Sequence, residues 1–388
     1  MYKIKLFNKI DPQGLERLPE NFTITENDDY DGIILRSYTM TEAELTDNLY
    51  AVARAGAGVN NIPTELYAQK GVVVFNTPGA NANAVKELTI LGVLLSARKT
   101  VAGIEWLRGE KDSDVVIEKE VESKKSAFAG PELLGKKVGV VGLGAIGAKV
   151  ANVLTAMEMQ VYGYDPYMSV EAAWMLDSSV KRVDTVDWLF ENCDFISLHL
   201  PLIDKTKKMV DKELLANAKD GINIINFARG GLVDDDAVIE AVKSGKIGCY
   251  VTDFPNNKLL GYDNIITIPH LGASTPESET NCAIMAAEEI SDYLINGNIK
   301  NSVNYPKSNM GNITDYPRIT INHKNIPNMV GQITATLGKN SINISNMINN
   351  SKGDFAYTMI ECDGAVPDSA LKDLKEIEGV LKVRKLEK

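Results

Sequence analysis

An apolar, β-branched run, Lys137-Val138-Gly139-Val140-Val141, leads into Gly142-Leu143-Gly144-Ala145-Ile146-Gly147 and then into residues with helical spacing up to Met157. This G-x-G-x-x-G turn between strand and helix suits a pyrophosphate. Gly142 permits the tight turn, Gly144 lets backbone N–H groups approach the anion, and Gly147 lets the helix lie close on its strand with its N-terminus facing the charge. Ala145 and Ile146 complete the cofactor-binding turn. The next strand, Gln160–Tyr164, ends in Asp165, where an acid about 20 residues on meets the ribose hydroxyls. Asp165 would repel a 2′-phosphate, and Pro166 and Tyr167 after it supply no arginine to receive one. These residues therefore read as a site for NAD rather than NADP.

The elements that must carry this turn are those of a two- or three-domain chain. Its 388 residues are 44% hydrophobic and 24% charged, ordinary for globular protein. A formal charge of −11 argues against nucleic-acid and anionic-membrane surfaces, so small molecules or further copies of the chain are the expected partners. Four cysteines without C-x-x-C spacing, no span for a bilayer and a strand-like N-terminus place the protein in a reducing cytoplasm, with no metal site.

Strand-like runs at Ile4–Phe7, Gly32–Leu35, Tyr50–Ala53 and Val72–Phe75 predict an open α/β layer. After the fingerprint, runs at Asp194–Leu198, Asn223–Asn226, Cys249–Thr252 and Ile265–Ile268 alternate with helices and predict a Rossmann-type doubly wound parallel sheet. Gly109–Lys125 is charged and should be solvated. Pro276–Asn296 reads as one long amphipathic helix that returns to the first layer. The expected domains are a discontinuous, flavodoxin-like substrate domain (1–97 and 276–306), a cofactor domain (98–275), a linker (307–316) and a C-terminal βαββαβ, ferredoxin-like domain (317–388).

With those elements placed, the chain resembles the D-isomer-specific 2-hydroxyacid dehydrogenases, and within them the short branch that bears an ACT domain and acts on D-3-phosphoglycerate. The likeness spans nearly all of the chain. It rests on Ala53-Arg54-Ala55-Gly56-Ala57-Gly58-Val59-Asn60-Asn61-Ile62, Asn81-Ala82-Asn83-Ala84-Val85-Lys86-Glu87-Leu88 and Phe128–Lys136. It continues through Ser197-Leu198-His199-Leu200-Pro201, Ile225-Asn226-Phe227-Ala228-Arg229-Gly230-Gly231 and Ile268-Pro269-His270-Leu271-Gly272-Ala273-Ser274-Thr275.

The resemblance implies a catalytic pair. His270 is the acid/base that takes the hydroxyl proton, and Arg229 holds the substrate carboxylate while polarising the C2 oxygen. It also implies that Phe227, Ala228, Asp253, Gly272 and Ala273 line the cofactor, with Asp253 on the nicotinamide amide. His199, on the expected nicotinamide path and so on the cofactor side, reads either as a catalytic residue or as a structural turn residue. Five positions beyond Asp253 the family carries a glutamate that orients the histidine, and here Lys258 stands. Either Asp263 substitutes in a shifted loop or the dyad lacks its acid.

For substrate, the resemblance implies backbone N–H groups at Ala57 and Gly58 for a carboxylate, Arg36 for a phosphate and Asn81 beside it. The C-terminal domain implies a homo-oligomer, dimer or tetramer, with an L-serine effector held by His323, Asn325 and Asn343. Asn328 replaces a family glycine there, tolerable in left-handed backbone. The implied activity is NAD-dependent oxidation of D-3-phosphoglycerate to 3-phosphohydroxypyruvate, the first step of L-serine biosynthesis. The alternatives are a glyoxylate or hydroxypyruvate reductase of the same family and, from another class, a non-catalytic NAD-sensing binding protein.

Overall fold

Runs such as Gly32-Ile33-Ile34-Leu35 and Phe195-Ile196-Ser197-Leu198 are buried at every position, which requires helices on both faces of a sheet. The computed structural model describes Met1 to Lys388, the side chain of Glu171 excepted, and divides the chain into two compact units. Residues 1–81 and 276–388 form one, and residues 82–275 the other.

The first unit holds a parallel sheet of β1 (Tyr2–Phe7), β2 (Phe22–Thr25), β3 (Gly32–Leu35), β4 (Ala51–Arg54) and β5 (Val73–Phe75). Its order, β2-β1-β3-β4-β5, is the flavodoxin-like one. The edge strand β2 escapes sequence reading because it is four residues long and half polar. The helix Pro276–Asn296 covers one face, placing Ala283, Ala286, Ala287 and Ile290 in the core with Ile4, Ile34 and Phe75.

The second unit is built on β6 (Lys137–Val141), β7 (Gln160–Tyr164), β8 (Lys181–Arg182), β9 (Phe195–Leu198), β10 (Ile222–Asn226), β11 (Ile247–Thr252) and β12 (Ile265–Thr267). All pairs are parallel, in the order β12-β11-β10-β9-β6-β7-β8, which is the doubly wound arrangement. The helix Ala82–Ala97, assigned from sequence to the substrate domain, belongs to this unit instead. Gly92 on it leaves room for the Phe227 ring, and Val93 and Ala97 join the core of Val138, Val140 and Val251. The solvated stretch contains the helix Ile117–Lys124, none of whose residues is buried. Among the described residues, no helix is long and apolar enough to cross a membrane.

The chain then returns to the first unit with β13 (Arg318–Lys324), β14 (Asn343–Lys352), β15 (Phe355–Asp363) and β16 (Val380–Leu386), an antiparallel sheet ordered β14-β15-β13-β16. With helices Met329–Lys339 and Asp368–Lys375 this is the βαββαβ sandwich. Its sheet caps the C-terminal end of Pro276–Asn296, where helix carbonyls lack intrahelical partners. Arg384 donates to the carbonyls of Tyr293 (3.3 Å) and Leu294 (2.6 Å), Arg318 to that of Asn296 (2.7 Å), and the Tyr357 hydroxyl to that of Gly297 (2.7 Å). The Arg384 guanidinium also lies 4.6 Å from the Tyr50 ring centre. Replacing Arg384 by Ala removes two buried charge-assisted hydrogen bonds, leaving the Tyr293 carbonyl only the Gly297 N–H and the Leu294 carbonyl only the Tyr2 hydroxyl, and removes that stacking. Urea unfolding should show a loss of about 2–4 kcal/mol, with Arg384→Lys recovering only part of it.

Candidate active site

Six of the seven strands of the second unit deliver a candidate residue just past their carboxyl ends: Gly142, Asp165, His199, Arg229, Asp253 and His270. At Gly142 the backbone is left-handed, φ 91°, and a side chain would press on the His199 carbonyl. A side chain at Gly147 would fall on the Gly142 carbonyl. Both glycines are therefore required by the close crossing of strand, turn and helix. The helix Gly147–Ala156 has no side-chain N-cap, and Gly144 and Ala145 before it are exposed. Such an open helix N-terminus suits an anion. Asp165 accepts the N–H groups of Leu143 and Tyr167, both at 2.8 Å, which fixes its carboxylate beside the turn.

His199 packs beneath this turn. Its N–H donates to Val141 (2.8 Å), its ring Nε2 lies 2.8 Å from Ser197 Oγ, and burial pushes its pKa down to about 4. A ring so placed is neutral at pH 7, which supports the turn role over proton transfer. The Phe227 side chain is core, packed at Gly92, so its backbone is the part that faces a ligand.

Arg229 is exposed and follows a buried brace. The Asn226 side chain donates to the Arg229 carbonyl (2.9 Å) and accepts from the N–H groups of Ala228 (3.2 Å) and Arg229 (3.4 Å). Asn226 lies inside the Ile225–Gly231 motif, whose sequence alone gives no sign of this bracing role. Past β12, His270 has φ 44°, a costly conformation for a side chain with a Cβ, held by its N–H donating to the carbonyls of Asp253 and Ile268. Its ring lies 5.1 Å from that of Phe254. His270, Asp253, Tyr250, Phe254, Asp235 and Asn256 share the wall of a cavity of about 300 Å³.

Asp253 supplies a direct test of cofactor fit. Its Oδ2 accepts the Gly272 N–H (3.1 Å), whereas its buried Oδ1 finds no partner among the described residues, and burial raises its pKa. A buried, unpaired acceptor calls for a donor, and a carboxamide N–H₂ is one. With the open helix terminus and Asp165, the residues present fit NAD. Ala273, next to Gly272, is half-buried.

Lys258 is not beside His270. Its Nζ is paired with the Asp236 carboxylate at 2.9 Å, and both are exposed. Asp263 is also exposed and is not part of the cavity wall. Asp263 is therefore not a substitute on this wall, which favours the alternative in which the dyad lacks its acid.

In the first unit, Arg36 pairs with Glu279 at 2.7 Å, half exposed. Arg54, which sequence reading left without a role, donates to the carbonyls of Arg36 and Gly58, and Asn76 to that of Ala57 (2.6 Å). Trans peptides then turn the N–H groups of Gly58 and Val59 away from those carbonyls. Asn81, partly exposed, is the last residue of its segment.

The three effector candidates are not gathered within one chain. His323 is buried, its ring nitrogens engaged by the Lys324 carbonyl (2.8 Å) and Thr358 Oγ1 (2.9 Å). Asn325 donates to the Gly353 carbonyl, and Asn343 to Asp363. His323 pairs with Ala356 and Asn343 with Asp363, roughly 24 Å apart along β15 at strand rise. Asn328 is left-handed, φ 65°, as its replacement of glycine requires.

Residues 93–272 match the family D-isomer specific 2-hydroxyacid dehydrogenase, NAD binding domain. A hydroxypyruvate reductase of Thermotoga maritima is 39% identical over 67% of this chain and 83% of its own length. A D-3-phosphoglycerate dehydrogenase of Archaeoglobus fulgidus is 38% identical over 73% of this chain and 53% of its own. The chain thus spans about half the length of the D-3-phosphoglycerate dehydrogenases of Archaeoglobus fulgidus and Methanocaldococcus jannaschii. Among solved structures, NAD⁺-bound 3-phosphoglycerate dehydrogenase of Entamoeba histolytica aligns with TM-score 0.60 at 27% identity, over 78% of this chain and 98% of that one. The chain belongs to the D-isomer specific 2-hydroxyacid dehydrogenases, and its second unit carries their NAD-binding domain.

His199, packed beneath the glycine turn, also sets a pH response. Unfolded, it takes up a proton below its ordinary value of 6.5; folded, it refuses one until about 4, so stability falls as pH drops through that window. Urea unfolding at pH 7 and pH 5 should show a decrease about 1–2 kcal/mol larger for wild type than for His199→Gln.

Proposed function

We propose that the chain oxidises a phosphorylated 2-hydroxy acid with NAD, converting D-3-phosphoglycerate to 3-phosphohydroxypyruvate, the step that opens L-serine biosynthesis. The observation that carries this reading is the joint placement of Arg229, Asp253 and His270 past adjacent strands β10, β11 and β12, with an unpaired acceptor on Asp253. NAD, when bound, supplies the hydride acceptor. His270, exposed on the cavity wall, takes the hydroxyl proton as the C2–H bond breaks and returns it in the reverse direction. Arg229 binds the carboxylate and steadies the C2 oxygen in a way that a point charge on lysine would not match. The brace from Asn226 holds the backbone of that arginine in place.

On the first unit, the Gly58 and Val59 N–H groups are the proposed carboxylate donors. Arg36, with Arg54 bonded to its carbonyl, is the proposed phosphate ligand. The Arg36 pairing with Glu279 is half exposed, so a dianionic phosphate can compete for it. The second reading, hydroxypyruvate reduction without phosphate, is favoured by the Thermotoga maritima relative.

One comparison separates them. NADH oxidation with 3-phosphohydroxypyruvate should far outpace that with hydroxypyruvate or glyoxylate, and Arg36→Ala should raise KM only for the phosphorylated substrate; equal rates on glyoxylate would overturn the assignment. His270→Gln should lower kcat by about 10²–10⁴-fold. No turnover with any of the three would leave the NAD-sensing reading. NAD should bind better than NADP in paired titrations, because Asp165 would face a 2′-phosphate.

The C-terminal domain supports a further part of the proposal: a cytoplasmic homo-oligomer in which the exposed edge strand β14 meets a second copy, with L-serine as effector. Four free buried cysteines fit a reducing compartment. Asn325 and Asn343 are the proposed serine ligands, since the His323 ring is engaged within its own sheet. Calorimetry should show serine binding that Asn343→Ala abolishes while kcat stays unchanged.

A further inference from the structure

The long helix Pro276–Asn296 buries a carboxylate, Glu289, 5% exposed, among turns that otherwise give the core Ala286, Ile290 and Tyr293. A carboxylate is costly in such a place. Burial pushes its pKa up to about 7, against the hydrogen bond from Asn301 and the charge of Lys300. Its Oε2 has no hydrogen-bond partner among the described residues, whereas its Oε1 accepts the side-chain amide of Asn301. That bond stands whether or not the acid is ionised, since a lone pair on Oε1 is all that it requires.

Asn301 lies in the segment that lines the β5 edge of the first sheet, where Ser302 bridges to Phe75 in antiparallel sense and the Val303 N–H donates to the Val74 carbonyl (2.9 Å). One residue before that bridge, the Asn301 carbonyl accepts the N–H of Asn76 (3.3 Å), the first residue past β5. The Asn76 side chain in turn donates to the Ala57 carbonyl (2.6 Å). Among the described residues, Glu289 is the one hydrogen-bond partner of the Asn301 side chain. Glu289, Asn301, Asn76 and Ala57 thus form an unbroken hydrogen-bonded line within the first unit, from the middle of a helix to the glycine-containing turn after β4. Its last link sets a peptide plane. With the Ala57 carbonyl tied to Asn76, the trans peptide aims the Gly58 N–H to the opposite side.

We propose that Glu289 is a positioning residue for the substrate carboxylate: through Asn301 and Asn76 it fixes the peptide that presents the Gly58 N–H, without touching the substrate itself. This rests on the assignment of the Gly58 turn as a carboxylate donor. The turn is read by a signal that needs no turnover, so the two fail separately.

The chain has four Ala-Gly pairs, ending in Gly56, Gly58, Gly103 and Gly130. Carbonyl-¹³C alanine with ¹⁵N-glycine labelling of the full chain therefore gives one NMR signal for each, and Gly58→Ala assigns the second. Glu289→Ala should shift the Gly58 signal while those of Gly103 and Gly130, in the second unit, stay in place. In NADH oxidation the same variant should raise KM for 3-phosphohydroxypyruvate about three- to tenfold, the order of one displaced hydrogen bond, with kcat within about twofold and KM for NADH unchanged. Glu289→Gln keeps an oxygen for Asn301 and should restore both readouts. Asn301→Ala should reproduce the effect, and the double variant should be no worse than either single one, because the two side chains act through one bond. Asn301→Ala also carries the test where Glu289→Ala does not fold. An unmoved Gly58 signal in both alanine variants overturns the proposal, as does an equal loss of NADH affinity with shifts at Gly103 and Gly130, which marks general loosening. A Gly58 shift with an unchanged KM overturns the carboxylate assignment and leaves the positioning of the turn standing.

Discussion

A parallel strand buried on both faces has nowhere to put a polar side chain except at its ends. Strands β6, β9, β10 and β11 are almost wholly buried, and helices cover the sheet on either side. The candidate residues of the second unit are consequently confined to the row of turns past the carboxyl edge, where His270, Asp253, Arg229, His199, the glycine turn and Asp165 follow one another across the sheet. The position of each candidate residue is thus set by strand register, and register is set by the apolar core of Val138, Val140, Ile225 and Val251.

That arrangement strains the turns it uses. Gly142 and His270 both adopt left-handed backbone, one cheaply because it is glycine, the other at a cost of roughly 1–3 kcal/mol. The His270 turn persists because its N–H is bonded to two carbonyls, one of them that of Asp253. Asp253 thus joins two turns, β11 to β12, through its own carbonyl and through its carboxylate on Gly272. A similar economy appears at Asn226, whose single side chain makes the loop after β10 rigid enough to present Arg229. Buried polar side chains therefore define where the candidate binding residues stand.

The first unit shows how a small domain is attached to a larger one. The carbonyls at the end of Pro276–Asn296 accept hydrogen bonds from Arg384, Arg318 and Tyr357 of the C-terminal sheet, and Arg318 also meets Glu361 at 2.6 Å. Positive charge at a helix C-terminus is favoured by the helix dipole. The same helix carries Glu279, the partner of Arg36, near its other end. One rigid element therefore runs from the C-terminal domain to a proposed substrate residue within a single unit.

The local patterns in the chain were sufficient for the doubly wound sheet, the cofactor turn, the long helix Pro276–Asn296 and the βαββαβ tail. Each is encoded by short-range features, such as glycine spacing, β-branched runs and helical periodicity, that act before any distant contact forms. They were also sufficient to single out His270 and Arg229, since each follows a strand within a distinctive motif. What they did not convey depends on which surface a residue meets. The helix Ala82–Ala97 joins the second unit because Gly92 admits Phe227, a fit between residues far apart in sequence. Lys258 looks like a replacement for an acid until its side chain is seen to turn toward Asp236. Asp235 fits no spacing rule and Arg54 has no role legible from its motif; the first comes to the His270 cavity, and the second to the Gly58 carbonyl, only when the chain has folded. His323 looks like a ligand in sequence, and the sheet buries it, because hydrogen bonds to Thr358 and the Lys324 carbonyl satisfy both of its ring nitrogens.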